Sequence, residues 1–327
     1  MSRDEDGAAM KVGRRAMLAG ALATLPCVAW ADEISVTQYG TSLYGLPFTV
    51  ALQEGAFGRA GLHITGFIGS GGGGTTVRNL FASDLPYGEV AVGAALAAAW
   101  GGLPVLIVNT GTRSVAEASL VTMPGSDVQG FKDLVGKKVA VTSPRSVSEM
   151  LFLLAVRTAG LDASSIARVY SGGYGPSLTL LEGGQVAAAA LIEPLAIERA
   201  ARYRTVVAYR DLLPPMTTSV GITSPEFAAA HGDTLRAIIA GRREGVRAVY
   251  ADPAAAGAIA AKAYDLPPAI AAQAVKNMIG PRMWSEGAFD MVEFRRMTDA
   301  LRLIGQVPPP GWEALIDRRF LPADLQA

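Results

Sequence analysis

The 327 residues contain only one cysteine and two histidines, so thiolate and imidazole groups for metal binding, nucleophilic attack or base catalysis are scarce. Cys27 falls in a leader-like N-terminal stretch, so the chain after it has no disulfide framework and no thiolate for a metal or a nucleophile. His63 stands at the entry of a strand-like run and His231 in a helical C-terminal region. Neither is at a strand exit, where metal ligation or Ser-His chemistry would need it. No metal, cofactor or catalytic residue is expected, and binding is favoured over turnover. Charge is also sparse: 18% of residues carry it, 29 basic against 29 acidic, without a run of Lys or Arg. That balance argues against a nucleic-acid or acidic-lipid surface. Half of the residues are apolar, which excludes a disordered chain and is enough for a core in more than one lobe.

Long hydrophobic runs are missing too. The apolar stretch Ala16 to Leu25 is shorter than the roughly 20 residues of a spanning helix and is followed by Pro26. Preceded by Arg14-Arg15 and closed by Ala29-Trp30-Ala31, it reads as a signal peptide over residues 1–31, cleaved near Ala31. The arginine pair is similar to a twin-arginine signal, with Gly13 and Met17 departing from its usual residues. Export to the periplasm is the expectation.

After the leader, β-like and helical runs alternate. Ile34 to Tyr39, His63 to Ile68, Val90 to Gly93 and Val105 to Val108 read as strands, with a helix from Pro47 through Arg59 and another from Thr75 to Phe81. A second set follows: Leu120 to Thr122, Lys138 to Thr142, a helix over Met150 to Ala159, Ala167 to Tyr170 and Ala187 to Ile192. Ser219 to Ile222 returns the chain to the first set, and mostly helix follows from Glu226. Strands this continuously apolar imply parallel sheets covered on both faces. The expected class is α/β in two lobes, 32–112 with 220–327 and 113–219, joined by two crossover strands near Arg113 and Thr218. Ligands of such folds meet strand carboxyl ends and helix N-termini in the cleft between lobes.

Four consecutive glycines, Gly71 to Gly74, stand at one such strand-to-helix corner. A backbone without Cβ atoms lets a ligand lie on Gly71, Gly72 and Gly73, with Thr75 and the helix start meeting its polar end; a plain flexible loop is the competing reading. Gly69 to Gly74 also satisfies G-x-G-x-x-G, with Glu89 about 20 residues on. The run follows the second strand instead of the first, and Glu89 lies within a strand, so a dinucleotide site is disfavoured. A P-loop fails because Thr75-Thr76 carries no preceding Lys.

In the second set, Ser143 to Ser148 links strand to helix, where Arg145, Ser146 and Val147 can meet an acceptor oxygen. Ser146 and Glu149 also fit a capping box that would use these groups locally. Tyr39 and Tyr44 in the first loop and Tyr174 in Gly172 to Pro176 suit an apolar or planar ligand body, or the core. Glu193, before Pro194, could accept from ligand amines or hydroxyls, or brace the hinge.

The segments Ala51-Leu52-Gln53-Glu54-Gly55-Ala56-Phe57 with Ala60-Gly61-Leu62, Asp133 to Val141, Leu181 to Ala188 and Glu193-Pro194 together resemble the periplasmic substrate-binding proteins of ABC importers for nitrate, sulfonates, taurine and thiamine-precursor pyrimidines. The resemblance spans most of the chain after the leader. It implies a type II periplasmic-binding-protein fold with an interlobe cleft, and ligand contacts from the loops Tyr39 to Gly45, which adds Thr41 and Ser42, Gly69 to Thr75, Gly93-Ala94 and Ser143 to Val147. Ala187 stands where the family often carries Asp, and the glycine loop is richer than usual, so ligand class does not transfer. The expected function is capture of a small organic carboxylate or sulfonate by a monomer through lobe closure, for delivery to a permease and its ATPase. A neutral or amine-bearing heterocycle as ligand, an enzyme on the same fold and a periplasmic ligand sensor are the alternatives.

Overall fold

Helices are interspersed among strands up to the last strand, and the order of strands follows from how the chain returns. The computed structural model describes residues 32–327; the signal peptide expected at 1–31 lies outside the described residues. The chain runs β1 (Asp32–Thr37), α1 (Leu46–Gln53), α2 (Ala56–Arg59), β2 (Ile64–Ser70), α3 (Gly73–Phe81), β3 (Gly88–Ala91), α4 (Val92–Trp100) and β4 (Leu106–Thr110). It continues through β5 (Ala118–Thr122), β6 (Lys138–Val141), α5 (Val147–Thr158), β7 (Ala167–Tyr170), α6 (Tyr174–Glu182), β8 (Ala188–Ile192), α7 (Leu195–Glu198) and β9 (Arg204–Ala208). β10 (Ser219–Thr223) precedes α8 (Pro225–Ala230), α9 (Gly232–Ala251), α10 (Pro253–Ala263), α11 (Pro268–Ile279) and α12 (Met291–Arg302). Proline occupies the first turn of α1, α8, α10 and α11, where its missing N–H leaves nothing unpaired.

Two five-stranded sheets result, ordered β2-β1-β3-β10-β4 and β7-β6-β8-β5-β9. The orders are the same in form, three parallel strands extended by two more through an antiparallel insertion. β10 runs antiparallel to β3 and β4, and β5 antiparallel to β8 and β9. The sheets are therefore mixed, which corrects the expectation of parallel ones: strands buried on both faces look alike in sequence whichever way they run. The expected helix from Pro47 through Arg59 is broken at Gly55, whose φ of 74° only glycine adopts readily. Val92-Gly93, expected in a strand, opens α4.

The two connections between the sheets lie side by side. Thr218 N–H donates to Thr112 O at 2.9 Å and Met216 N–H to Arg113 O at 3.1 Å, while the Thr112 and Thr218 hydroxyls meet at 2.6 Å. α9 fastens this region to the first sheet through Arg242, which with Glu89 is almost wholly buried. The guanidinium donates to Glu89 Oε2 at 2.9 Å, to Ser285 O at 2.7 Å and to Gly111 O at 2.8 Å, and lies over the Phe48 ring. Glu89 is thus a structural ion-pair partner. α5 is buried along Val147 to Val156, as a helix apolar on every side must be, and its first turn points to the space between the sheets.

Candidate functional site

Four helices begin at one small cavity between the sheets. Its lining includes Gly72 and Gly73 at the start of α3, Ala91 capping α4, Ser146 and Val147 at the start of α5, and Tyr174 opening α6. The first N–H groups of a helix have no intrahelical acceptor and carry the positive end of its dipole. Four such ends converging favour an oxyanion. The remaining lining is Thr37, Gln38, Tyr44, Gly71 and Thr142, and no Lys, Arg, His or Cys is among it. The volume is about 20 Å³, room for one water, so an organic solute enters only if the walls separate.

The walls meet glycine against backbone. A Cβ on Gly71 would lie 2.6 Å from Gly172 O, and one on Gly93 2.7 Å from Arg145 O. In both pairs one partner follows a strand of the first sheet and the other a strand of the second. Gly73 is different: its Cβ would strike the Ala94 methyl at 2.5 Å, a contact between α3 and α4 beside the first sheet. Gln38, held at φ 59°, donates from Nε2 to Gly71 O and ties the glycine loop to the end of β1.

Of the residues expected to bind, Tyr44, Gly71, Gly72, Gly73, Ser146, Val147 and Tyr174 line this cavity, and the others do not. The Tyr39 ring packs at 4.9 Å on Phe67 and edge-on at 5.2 Å to Tyr264, with its hydroxyl 3.0 Å from Thr49 Oγ1. Thr41 is a loop residue whose N–H donates to Gln38 O. Ser42 is buried and bridges Pro194, joining the loop after β1 to the end of β8. Thr75 faces solvent and accepts from Arg78; the buried neighbour Thr76 bonds Thr37 instead. Ala94 packs on Gly73, and Arg145 adopts φ 60° while its N–H donates to Glu149 Oε2 at 2.6 Å. Ser146 Oγ accepts from Glu149 N–H. Glu149 in turn accepts from Arg168 Nε at 3.0 Å and from the Tyr170 hydroxyl at 2.6 Å, so its charge is directed away from the cavity. Glu193 Oε2 accepts from Asn277 Nδ2 at 2.8 Å, which links the end of β8 to α11.

Thr37, Gln38, Ala91 and Thr142 complete the lining and are not singled out by the sequence. Behind Tyr44 sits Glu117, 3% exposed, whose carbonyl accepts from Glu193 N–H at 3.0 Å. Burial pushes its carboxyl up to about 8; facing Tyr44 opposes this, and the nearby Glu193 carboxyl reinforces it. The Tyr44 and Tyr174 phenols are raised by burial first and by Glu117 second. Glu117 thus holds a proton in the folded protein at pH values where the unfolded chain has released it. Its contribution to stability is complete below the ordinary carboxylate range and is lost as pH rises to about 8, at up to about 1.4 kcal/mol per pH unit. Glu117→Gln is expected to remove this slope. Urea melts of both proteins at about pH 5 and pH 8 check it; parallel pH dependences would contradict the assignment.

Larger hollows lie elsewhere. Two of about 610 and 600 Å³ flank α8 on the outer edge of the first sheet, where Arg236 is paired with Asp233 and Arg319 with Asp317. One of about 320 Å³ lies beside Arg113, itself ion-paired with Glu293. None gathers helix starts from both sheets. His63 and His231 are both remote from the cavity lining. Among the described residues no cluster of three or more His, Cys, Asp or Glu is placed to hold a metal ion, and no helix is long and apolar enough to cross a membrane.

Comparison with known proteins gives a family and a fold. The model of the family described as "NMT1/THI5 like" matches residues 43–256. No curated protein matches the chain. Among solved structures, the alkanesulfonate-binding protein SsuA from Xanthomonas axonopodis pv. citri, bound to MOPS, superposes with a TM-score of 0.73 at 17% identity, covering 88% of this chain and 100% of that one. The Candida albicans CA3427 gene product, described as having the generic periplasmic binding protein fold, gives 0.71 at 15% identity over 88% and 96%. The periplasmic nitrate-binding protein NrtA from Synechocystis PCC 6803 gives 0.62 at 10% identity over 73% and 68%. At these identities the likeness shows the fold, a periplasmic binding protein fold.

Proposed function

The chain belongs to the NMT1/THI5-like family, and from that premise we propose that it is an extracytoplasmic solute-binding protein of an ABC importer. It captures a small organic anion, a carboxylate or sulfonate, in the cavity between the two sheets and passes it to a permease driven by an ATPase. The observation that carries this reading is the convergence of the α3, α4, α5 and α6 N-termini on one cavity. Partial positive charge from four helix ends replaces the arginines that a solvated anion site would need. The alkanesulfonate ligand class of one structural neighbour is of the same chemistry.

The moving bodies are residues 32–112 with 220–327 and residues 113–219, swinging about the paired connections at Thr112 and Thr218. Closure is driven by a ligand that touches both bodies and so binds the closed state better than the open one. The protein works as a monomer in the periplasm, after cleavage of the leader. No reaction is assigned, because the cavity offers an anion-holding surface without a general base. A sensor that presents the closed form to a membrane receptor would share this chemistry and differ only in partner.

A thermal-shift screen of carboxylates and sulfonates tests the reading. A ligand at 100 times its Kd is expected to stabilise the protein by about 2.7 kcal/mol. Absence of any shift across both classes, or turnover of a bound compound by the purified protein, would overturn it.

A further inference from the structure

Two acidic residues outside the cavity lining meet where the two sheets face each other. β5 and β8 pair antiparallel with Ala118 opposite Ile192, which sets Glu117 opposite Glu193 one step further on, and Glu193 N–H donates to Glu117 O at 3.0 Å. Like charges directly opposite on a ladder repel. Both residues are nonetheless buried, 3% and 8% exposed, and what covers them comes from the side of the first sheet. The Tyr44 phenol, in the loop after β1, is a hydrogen-bond partner of the Glu117 carboxyl, and Asn277 Nδ2 of α11 donates to Glu193 Oε2 at 2.8 Å. Ser42 of the same loop bridges Pro194. α11 packs on α10, and α10 on α1 and α9, so Asn277 belongs with the first sheet. Both covering donors are neutral. Tyr174 of α6, with Tyr209 beside it, brings further phenols to Glu117, and Glu89, felt through Tyr44, is already neutralised by Arg242. Arg210 acts on Glu193 from an exposed position next to Asp211. Among the described residues no cation faces Glu117 itself.

Resting on the solute-site reading above, we propose that Glu117 and Glu193 are positioning residues that couple closure of the cleft to uptake of a proton. Neither touches the solute. With the two bodies apart, Tyr44 and Asn277 have moved away, water reaches the pair and both carboxyls ionise as ordinary ones do. With the bodies together, two carboxylates would be buried side by side under neutral donors, so one of them takes a proton from solvent. Glu117 takes it. Burial holds its carboxyl up at about 8, whereas burial of Glu193 is opposed by the Asn277 donor and by Arg210. Because the closed state holds the extra proton, closure and the affinity for any solute are strongest at low pH. Affinity is lost as pH rises from the ordinary carboxylate range to about 8, by up to about tenfold per unit. The dependence belongs to the protein, so it is the same for every solute that shuts the cleft.

Probes that do not titrate near neutral pH isolate the effect: ethanesulfonate, butanesulfonate and butanoate. Calorimetry on the purified protein at about pH 6, 7 and 8 gives the affinity, and two buffers of different ionisation heat, neither a sulfonate nor a carboxylate, give the protons exchanged. The expected result is net proton uptake on binding and an affinity that falls by up to about tenfold per unit, with one slope for every probe that binds. Glu117→Gln keeps the uncharged form. It should bind as the parent does at about pH 6, more tightly at about pH 8, and take up no proton. Asn277→Ala should weaken every probe by a common factor on the order of tenfold, since it loosens the closed state without touching a solute. That variant and the parent's proton count keep the test decisive if the glutamine variant fails to fold. A merely structural Glu117 would move the melting temperature and leave the proton count on binding at zero. Binding without pH dependence or proton uptake, a slope that survives Glu117→Gln, or an Asn277→Ala variant that binds like the parent overturns this inference and leaves the solute site standing. If no compound of the wider carboxylate and sulfonate screen binds at any of these pH values, the solute-site reading falls and this inference with it.

Discussion

Arg242→Met is expected to destabilise the protein by about 3–5 kcal/mol, the cost of leaving a buried charge without its counter-ion. Glu89 and Arg242 are both almost fully buried, and the loss is not confined to them. Removing the guanidinium also strips a donor from Ser285 O and one of the two donors of Gly111 O, which otherwise keeps only Ser285 N–H. Ser219 Oγ donates to the other oxygen of Glu89 at 2.6 Å, so the same network holds β10 and the start of the first connection. Pairing the change with Glu89→Gln should recover much of the loss, because the uncompensated carboxylate is then gone. Urea unfolding of the two single variants and the double variant reads this directly. A single-variant cost below about 1 kcal/mol, typical of an exposed ion pair, would contradict the role assigned to Arg242.

The second large effect is on binding and should leave stability alone. Gly71 does not need glycine for its backbone angles, since its φ is not in the left-handed region, and its side-chain direction points across the cleft at Gly172 O. Gly71→Val therefore meets no obstacle while the two sheets are apart and a steric one when they close. Overpacking of this kind costs about 1–3 kcal/mol, which corresponds to roughly fivefold to 150-fold weaker ligand binding. Gly73→Val is the control with opposite sign of emphasis: its side chain would strike Ala94 between α3 and α4 and should lower the melting temperature with or without ligand. Melting curves and affinities of the two variants separate the cases. A Gly71 variant that melts early but binds normally would return the glycine run to a merely structural loop.

How much of this is visible in the sequence depends on how local the cause is. The alternation of strands and helices is local, and β7 and most of β1, β2, β6 and β8 stand where apolar runs place them. β9 escapes notice because Arg204 to Ala208 is an edge strand with only part of its surface buried. The antiparallel insertion of β5 and β10 escapes because direction leaves no trace in a strand buried on both faces. The glycine corner declares itself through composition, and Ser146, Val147 and Tyr174 through strand-to-helix spacing. Thr37, Gln38 and Thr142 do not, since a lone polar residue ending an apolar run is also what an ordinary turn looks like. The sign available in hindsight is that the same polar exit recurs in both sheets. Glu117 carries no local mark: Ser114 to Ala118 reads as a connection, and its burial comes from Tyr44, Tyr174 and Glu193, all distant in the chain. Gly72 and Gly73 look equivalent in sequence, yet one faces Ser143 across the cleft and the other Ala94 within its own layer.

Closure of the space between the two sheets by a solute is the step on which the proposed function rests. Small-angle X-ray scattering of the purified protein, titrated with the tightest compound from the screen, tests it most directly. The expected result is a ligand-free particle more extended than this structure, whose cavity admits only a water-sized guest, and a fall in radius of gyration that saturates with the binding isotherm. A radius of gyration unchanged from ligand-free to fully bound would contradict it.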